Sequence, residues 1–379
     1  MRVVPEPRER AAGRSQPQPQ PQPQPPPQPQ PQRAGPRDLL GRPRPRRVPV
    51  PVLAGGAALV TLIVLGALVL ITGDGGRGVS GHRTGGHPIG RLTHRPAVAL
   101  PWPHEGQASV LVEGLGDAGD LGDRGEQRPV PIASVTKVMT AYVVLRDHPL
   151  REGASGPGIT VDQRAADESG SGVESSVPLR RGQRLGERQL LELMLIPSGN
   201  NVARLLARWD AGSQEAFVVK MNRAAADLGM DRTTYTGASG IESTTVSTSG
   251  DQLKLARQVM RDPVLAAIVA LPSTTVAGVP GTILNTNTLL GTSGVIGLKT
   301  GSSTPAGGAL MWAATAPDRR GHDRLALGVV LHQRAGTSPQ EGLQAVLDVS
   351  HTLVEGVRRW VAGTGTAAAA GVQPGSGEA

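Results

Sequence analysis

Apolar positions along this chain fall into runs of three kinds, and each kind predicts a different element. The longest is Val52–Ile71, 20 residues with one polar member, Thr61, and no charge. A helix of that length rises about 30 Å, the thickness of a bilayer's hydrocarbon core. Short apolar stretches bounded by Gly, Asp or Pro read as strands: Ala108–Gly114, which ends in a Gly/Asp-rich turn at 114–125, then Val295–Gly301, Ala309–Ala314 and Leu325–His332. Between them the period becomes helical. Ile132–Arg146 is apolar nearly all round, which marks a buried helix. Its β-branched residues also suit a strand, but the placement of Ser134 and Lys137 three apart favours a helix. Leu185–Leu195 is amphipathic and stops at Pro197, Asn201–Trp209 begins another helix, and Ser247–Asp251 caps one running to Arg261. Gln340–Trp360 closes the series. Strands early, helices in the middle and strands late predict a sheet completed by both ends of the chain.

Charge redraws the N-terminal part of that picture. The chain carries a formal net charge of +8, yet residues 1–48 alone hold 10 arginines against three acids, leaving 29 basic and 28 acidic residues elsewhere. The Pro-Gln alternation from Gln16 to Gln32 favours extended backbone and offers nothing to bury. The high isoelectric point therefore belongs to a tail and the remainder is nearly neutral. Nucleic-acid binding loses its main support, because a basic folded face with stacking aromatics is required and only seven aromatic residues exist. Arg42, Arg44, Arg46 and Arg47 precede the long apolar run, so the positive-inside rule puts the N-terminus in the cytosol and exports everything after residue 72. A cleaved signal peptide is the rival, but its apolar region is shorter, and Thr72-Gly73-Asp74-Gly75 lacks the small-residue cleavage pattern. The expected organisation is a disordered cytosolic tail (1–48), a transmembrane helix (49–72), a Gly/Arg/His-rich linker (73–98), one globular domain (99–361) and a disordered tail (362–379). The expected location is the cell membrane, single-pass, with the domain outside the cytoplasm.

Candidate chemistry is confined by composition. No cysteine is present, which excludes thiol catalysis and Cys-ligated zinc, and the eight histidines form no H-E-x-x-H pattern, so neither metal nor cofactor is expected. Only four of the 39 basic residues are lysine. Lysine, unlike arginine, can lose its proton when buried and act as a base. Two of the four sit in short motifs, Ser134-Val135-Thr136-Lys137 and Lys299-Thr300-Gly301, with Ser198-Gly199-Asn200 between them. From composition alone the three would co-occur with a frequency on the order of 10⁻⁴ to 10⁻³. Ser134 and Lys137 share one helix face, so the amine reaches the hydroxyl. Ser134 at a helix start also gains free N–H groups for a developing negative charge. Ser198 is placed to relay a proton, Asn200 to hold the base or the substrate backbone, and Lys299 and Thr300 to bind a carboxylate. Gly301 allows the substrate backbone to approach, and the N–H groups of Ser134 and Ser302 are candidates for an oxyanion hole. Catalytic roles therefore fall to Ser134, Lys137 and Ser198, and substrate-binding roles to Asn200, Lys299, Thr300, Gly301 and Ser302.

At these residues the chain resembles the penicillin-recognising serine enzymes. Within them, Pro131–Ala141, Leu195–Asn200, Met221-Asn222 with Leu228-Gly229-Met230, Asn285–Leu290 and Gly297–Gly301 are similar to the low-molecular-mass D-alanyl-D-alanine carboxypeptidases. The resemblance covers roughly residues 105 to 360. It implies an α+β fold of the β-lactamase/transpeptidase type: an antiparallel five-stranded sheet flanked by helices, plus an all-helical subdomain, here preceded by one transmembrane helix. It also implies acylation of Ser134 by peptidoglycan stem peptides ending in D-Ala-D-Ala, loss of the last D-alanine, and inhibition by β-lactams. The chain departs from relatives at three places. Asn201 stands where many carry Asp, removing a charge near the site. Ser302-Ser303 follow the K-T-G motif in place of an aromatic residue or His. The small C-terminal β-domain and its membrane-associating helix have no counterpart, so the N-terminal helix is expected to anchor the protein. Arg324 is a weaker candidate for a carboxylate contact. Two other readings stand beside this one: a serine β-lactamase, for which no E-x-x-x-N signature lies between Ser198 and Lys299, and a catalytically silent peptidoglycan-binding module of the same fold.

Overall fold

A computed structural model of the chain describes residues 98–363. The expected tails, transmembrane helix and linker therefore lie outside the described residues, apart from residue 98 at the start and residues 362–363 at the end. A hairpin opens the fold, β1 (Gln107–Val112) and β2 (Asp120–Arg124), followed by the two-residue β3 (Val130–Pro131). A single 3₁₀ turn at Ala133–Val135 then feeds α1 (Thr136–Asp147). The helical half continues through a small hairpin, β4 (Gly158–Thr160) with β5 (Arg184–Gly186), that encloses α2 (Gln163–Asp167). After it come α3 (Glu187–Leu195), α4 (Asn200–Ala211) and α5 (Gln214–Asp227). A short β6 (Val246–Ser247) pairs with β3 and leads into α6 (Ser249–Val259) and α7 (Pro263–Val269). A two-stranded ribbon, β7 (Ser273–Thr274) and β8 (Ile283–Leu284), precedes three long strands, β9 (Val295–Ser303), β10 (Gly307–Pro317) and β11 (Asp323–Gln333). The 25-residue α8 (Pro339–Gly363) ends the described part.

The sheet order is β2-β1-β11-β10-β9, antiparallel throughout, so β1 pairs with the last strand and both chain ends meet in one sheet, as predicted. Its strands are apolar on consecutive residues because both faces are covered. Along β10, Ala309, Met311 and Ala313 join the core shared with the helical half, while Leu310, Trp312, Ala314 and Ala316 join the core under α8. That alternation is the two-residue period of a pleated strand. Lys299 is in register with Met311 and Gly301 with Ala309, so both belong to the face turned toward the helices. The K-T-G strand is thus the sheet edge along which the helical half packs.

Three helices escaped the sequence reading: the five-residue α2, α5 and α7. In α5 the buried positions are Phe217, Met221, Ala224 and Ala225, a sparse stripe half made of alanine, behind the cap supplied by Ser213 to the Ala216 N–H. In α7 the signal was the Asp262-Pro263 start, where Asp262 accepts from the N–H groups of Val264 and Leu265.

Candidate active site

The turn into α1 is held in a shape its residues do not favour. Ala133 has φ 45°, a left-handed value that costs a non-glycine residue roughly 1 kcal/mol. It is over-determined from two sides. Gly240 crosses so close that a Cβ there would lie 2.0 Å from the Ala133 carbonyl oxygen, and Gly301 of β9 so close that its Cβ would lie 2.9 Å from the Ser134 nitrogen. Strain kept by surrounding packing is common at reactive groups. Here it sets Ser134, half-buried, at the mouth of α1 with the K-T-G strand against its backbone.

Lys137, one turn on, is fully buried. Its Nζ lies 2.8 Å from Ser134 Oγ, 2.5 Å from Asn200 Oδ1 and 2.7 Å from the Ser239 carbonyl oxygen. Burial pushes its pKa well below the ordinary lysine range, Lys299 and Arg204 push the same way, and Glu174 and Glu242 oppose them. Two of its three partners are carbonyl oxygens, which only accept. A neutral amine has two N–H bonds and one lone pair, so those two oxygens take both hydrogens and the lone pair is left facing the Ser134 hydroxyl. The three contacts therefore orient the amine as a base for Ser134. Thr140 ties the same loop to α1 by donating to the Ala238 carbonyl at 2.7 Å.

The other motifs surround this pair. Asn200 opens α4, its backbone N–H donating to Ser175 O at 2.8 Å. Its side chain faces two ways, with Oδ1 on Lys137 and Nδ2 donating to Glu174 Oε2 at 2.7 Å. Ser198 is the odd member. It has φ 69°, is buried, and its hydroxyl has no hydrogen-bond partner among the described residues, so it stands outside the hydrogen-bonded set formed by Ser134, Lys137 and Asn200. Lys299 is buried, and burial lowers its pKa to about 7. It donates to Thr300 O at 3.0 Å and to Thr286 Oγ1 at 3.4 Å, so among the described residues one of the ammonium's three hydrogens has no partner. The Thr300 and Thr286 hydroxyls are 2.6 Å apart, and Thr286 N donates to Ile196 O at 3.1 Å, two residues before Ser198. Residues 285–287 thus clamp the second motif to the third. Ser302 follows in β9, half-buried and paired with Gly308.

Two expectations change. Asn201 does not sit beside the base. Its amide donates to Val177 O (2.8 Å), Ala165 O (3.1 Å) and Ser169 Oγ (3.3 Å) and accepts from Val177 N (3.0 Å), stapling the 165–177 segment behind the site. A residue adjacent to Asn200 on a helix turns its side chain about 100° away, and it uses here both ends of an amide, which a carboxylate could not supply. Arg324 pairs with Asp318 at 2.9 Å and is in register with Ala316, five residues and roughly 17 Å along the strand from the level of Lys299. It is not part of this cleft. The sequence reading missed four contributors: the Ser239 carbonyl, Thr286, and the Glu174–Arg204 pair. A backbone carbonyl leaves no trace in residue type, Glu174 and Thr286 lie in stretches with no periodic pattern, and Arg204, although on the helix read from Asn201 to Trp209, is one arginine among many in this sequence.

Comparison with known proteins points one way. A D-alanyl-D-alanine carboxypeptidase family profile matches residues 103–332. The chain is 31% identical over 242 residues to a D-alanyl-D-alanine carboxypeptidase of Streptomyces sp. (strain K15), spanning 60% of this chain and 82% of that one. It is 33% identical over 233 residues to a D-alanyl-D-alanine carboxypeptidase of Mycobacterium tuberculosis, spanning 60% and 76%. Among solved structures, the Streptomyces K15 DD-transpeptidase aligns with a TM-score of 0.56 at 27% identity, over 68% of this chain and 98% of its own. Penicillin binding protein 6B from Escherichia coli aligns with a TM-score of 0.56 at 28% identity, over 67% and 80%. The five-stranded antiparallel sheet with its helices is a fold of this kind.

Proposed function

The chain belongs to the D-alanyl-D-alanine carboxypeptidase family, and from that premise we propose which of its residues carry each step of the reaction. The protein is a serine-type D-Ala-D-Ala carboxypeptidase, a penicillin-binding hydrolase that acts on peptidoglycan stem peptides. The observation that carries the residue assignment is the buried Lys137 amine, aimed at Ser134 by two carbonyl oxygens.

Lys137 takes the Ser134 proton as Oγ attacks the carbonyl carbon between the two D-alanines. The oxyanion forms where the backbone N–H groups of Ser134 and Ser302 are assigned to receive it. The Ser198 hydroxyl gives its proton to the departing amine and is reprotonated by the Lys137 ammonium, so the C–N bond breaks, free D-alanine leaves, and Ser134 is acylated with Lys137 neutral again. Water then attacks the ester as Lys137 takes its proton and hands it to the leaving Ser134 Oγ, which regenerates the serine hydroxyl and releases the shortened peptide with a carboxylate. Lys299, with its unpartnered N–H, and Thr300 hold the terminal carboxylate of the substrate, and Gly301 leaves room for its backbone. A β-lactam enters by the same attack, but its leaving nitrogen stays tethered to the acyl group.

The direct test is mass spectrometry of the folded domain after exposure to penicillin. One penicilloyl group is expected on the peptide containing Ser134 and none on the Ser134→Ala variant. An adduct on Ser198, or an unlabelled folded domain, overturns the assignment. The anchor is read from sequence: the apolar run Val52–Ile71 behind four arginines favours a single-pass membrane protein with its catalytic domain outside the cytoplasm. Protease added to spheroplasts is then expected to digest the chain beyond Thr72 and spare the Pro-Gln segment; protection of the domain refutes that topology.

A further inference from the structure

The Asn200 side chain is an amide whose two ends do opposite things, and Lys137 works as a base only if the oxygen end faces it. Were the amide turned over, its NH₂ would meet Lys137 Nζ and compete with the Ser134 hydroxyl for the one lone pair. Lys137 alone does not settle the choice, because a neutral amine both donates and accepts. The far end of the amide does. Nδ2 donates to Glu174 Oε2 at 2.7 Å, and a carboxylate accepts only. Glu174 is itself clamped: Arg204 donates Nη2 to Oε1 at 2.5 Å and Nη1 to Oε2 at 3.1 Å, while Arg204 Nε is held by Glu168 at 2.9 Å. Burial acts to raise the Glu174 pKa, but the bonds from Arg204 and Asn200 outweigh it and keep the carboxyl ionised. Glu168, Arg204, Glu174, Asn200, Lys137 and Ser134 therefore form one hydrogen-bonded line from the surface of α4 to the nucleophile.

We infer that Glu174, fixed by Arg204, is a positioning residue for this enzyme: it selects the orientation of the Asn200 amide and so keeps the Lys137 lone pair on Ser134. The inference rests on the assignment of Ser134 as nucleophile and Lys137 as base. The side-chain bonds of Glu174 among the described residues run to Asn200 and Arg204, so it acts on the base through Asn200. The charged groups that act on Lys137, beside its burial, are Lys299 on β9, Arg204 on α4, Glu174 in the loop before β5, and Glu242 in the loop before β6. Glu174 and Glu242 favour the charged amine, so removal of Glu174 lowers the Lys137 pKa further.

A double-mutant cycle on the full chain, read by the acylation rate with fluorescent penicillin, tests this. Glu174→Ala is expected to slow acylation about five- to tenfold in the wild-type background and to change it less than twofold in an Asn200→Ala background, where no amide remains to orient. The ascending limb of the acylation–pH profile is expected to move to lower pH in Glu174→Ala even as the plateau falls. General loosening of the site would instead admit water to Lys137 and move that limb up. If Glu174→Ala does not fold, Glu174→Ser, too short to reach Asn200, takes its place in the same cycle. Equal losses in both backgrounds, an acylation rate within twofold of wild type, or a limb shifted upward overturns the inference. Failure of wild type itself to take label on Ser134 would fell the underlying assignment instead, so the two failures are separable.

Discussion

Lys137→Arg is expected to lower the rate of Ser134 acylation by at least about 10³-fold while leaving a folded domain. Arginine preserves a cation of similar reach, so any role Lys137 plays as a positive charge survives the change. What disappears is the capacity to hold a lone pair, since the guanidinium stays protonated in proteins and only donates. The site is built to produce that lone pair. Lys137 is fully buried, its pKa is driven down first by burial and then by Lys299 and Arg204, and its two hydrogens are taken by Asn200 and Ser239. The predicted loss matches the scale at which members of a nucleophile–base unit fail when removed singly. Second-order rate constants with a fluorescent penicillin, compared at equal thermal stability, provide the measurement. An arginine variant that acylates within tenfold of wild type would show that the proton of Ser134 goes elsewhere.

The second large effect concerns substrates that end in a free carboxylate. Lys299→Ala should cut kcat/KM for a D-Ala-D-Ala peptide by about 10- to 150-fold, the equivalent of one ionic hydrogen bond of about 1.5–3 kcal/mol in a partly dry cleft. An amidated peptide should be a poor substrate for the wild type and lose little more in the variant. The pH dependence follows from the sign of the shift. Burial brings the Lys299 pKa down to about 7 from 10.5, so the free enzyme carries the ammonium below about pH 7 and loses it above. Carboxylate binding, and with it kcat/KM for the acid, should fall on the alkaline side, a limb absent for the amide. Equal sensitivity of acid and amide to Lys299→Ala removes the carboxylate role.

The side chains that the structure gathers at the start of α1 and along β9 were readable in the chain, and the contacts that fix their geometry were not. Ser134, Lys137, Asn200, Lys299, Thr300 and Gly301 stand out because they fall in three short motifs that composition alone brings together rarely. The closure of the sheet was readable too, since strands at both ends of a domain with helices between them must pair across it. Ser198 shows the limit. Its motif was recognised, but its φ of 69° and a hydroxyl without a partner among the described residues belong to the turn between α3 and α4, which no sequence pattern records. Asn201 shows the converse error, a residue judged by its neighbour in sequence whose side chain leaves the helix on another side and holds the 165–177 segment. Thr286 could be reached only through resemblance, because a threonine in an irregular stretch carries no period.

The pairing of β1 with β11 has a consequence for how the enzyme comes into being. Gln107 and Leu331 are register partners roughly 220 residues apart, so the first strand is synthesised long before the strand that will cover its edge. Until then β1 has only β2 beside it, and the apolar residues Ala108, Val110 and Val112 await Trp312, Val330 and α8. The nucleophile is made early and the K-T-G strand late, and Gly301 of that strand is one of the two contacts that hold Ser134 in place. A partly made chain therefore possesses a serine and a lysine but no reactive centre. On that assignment acylating power is expected only once β9 has been made, and a ribosome that stalls before it leaves β1 with an open, aggregation-prone edge beside an unfinished site.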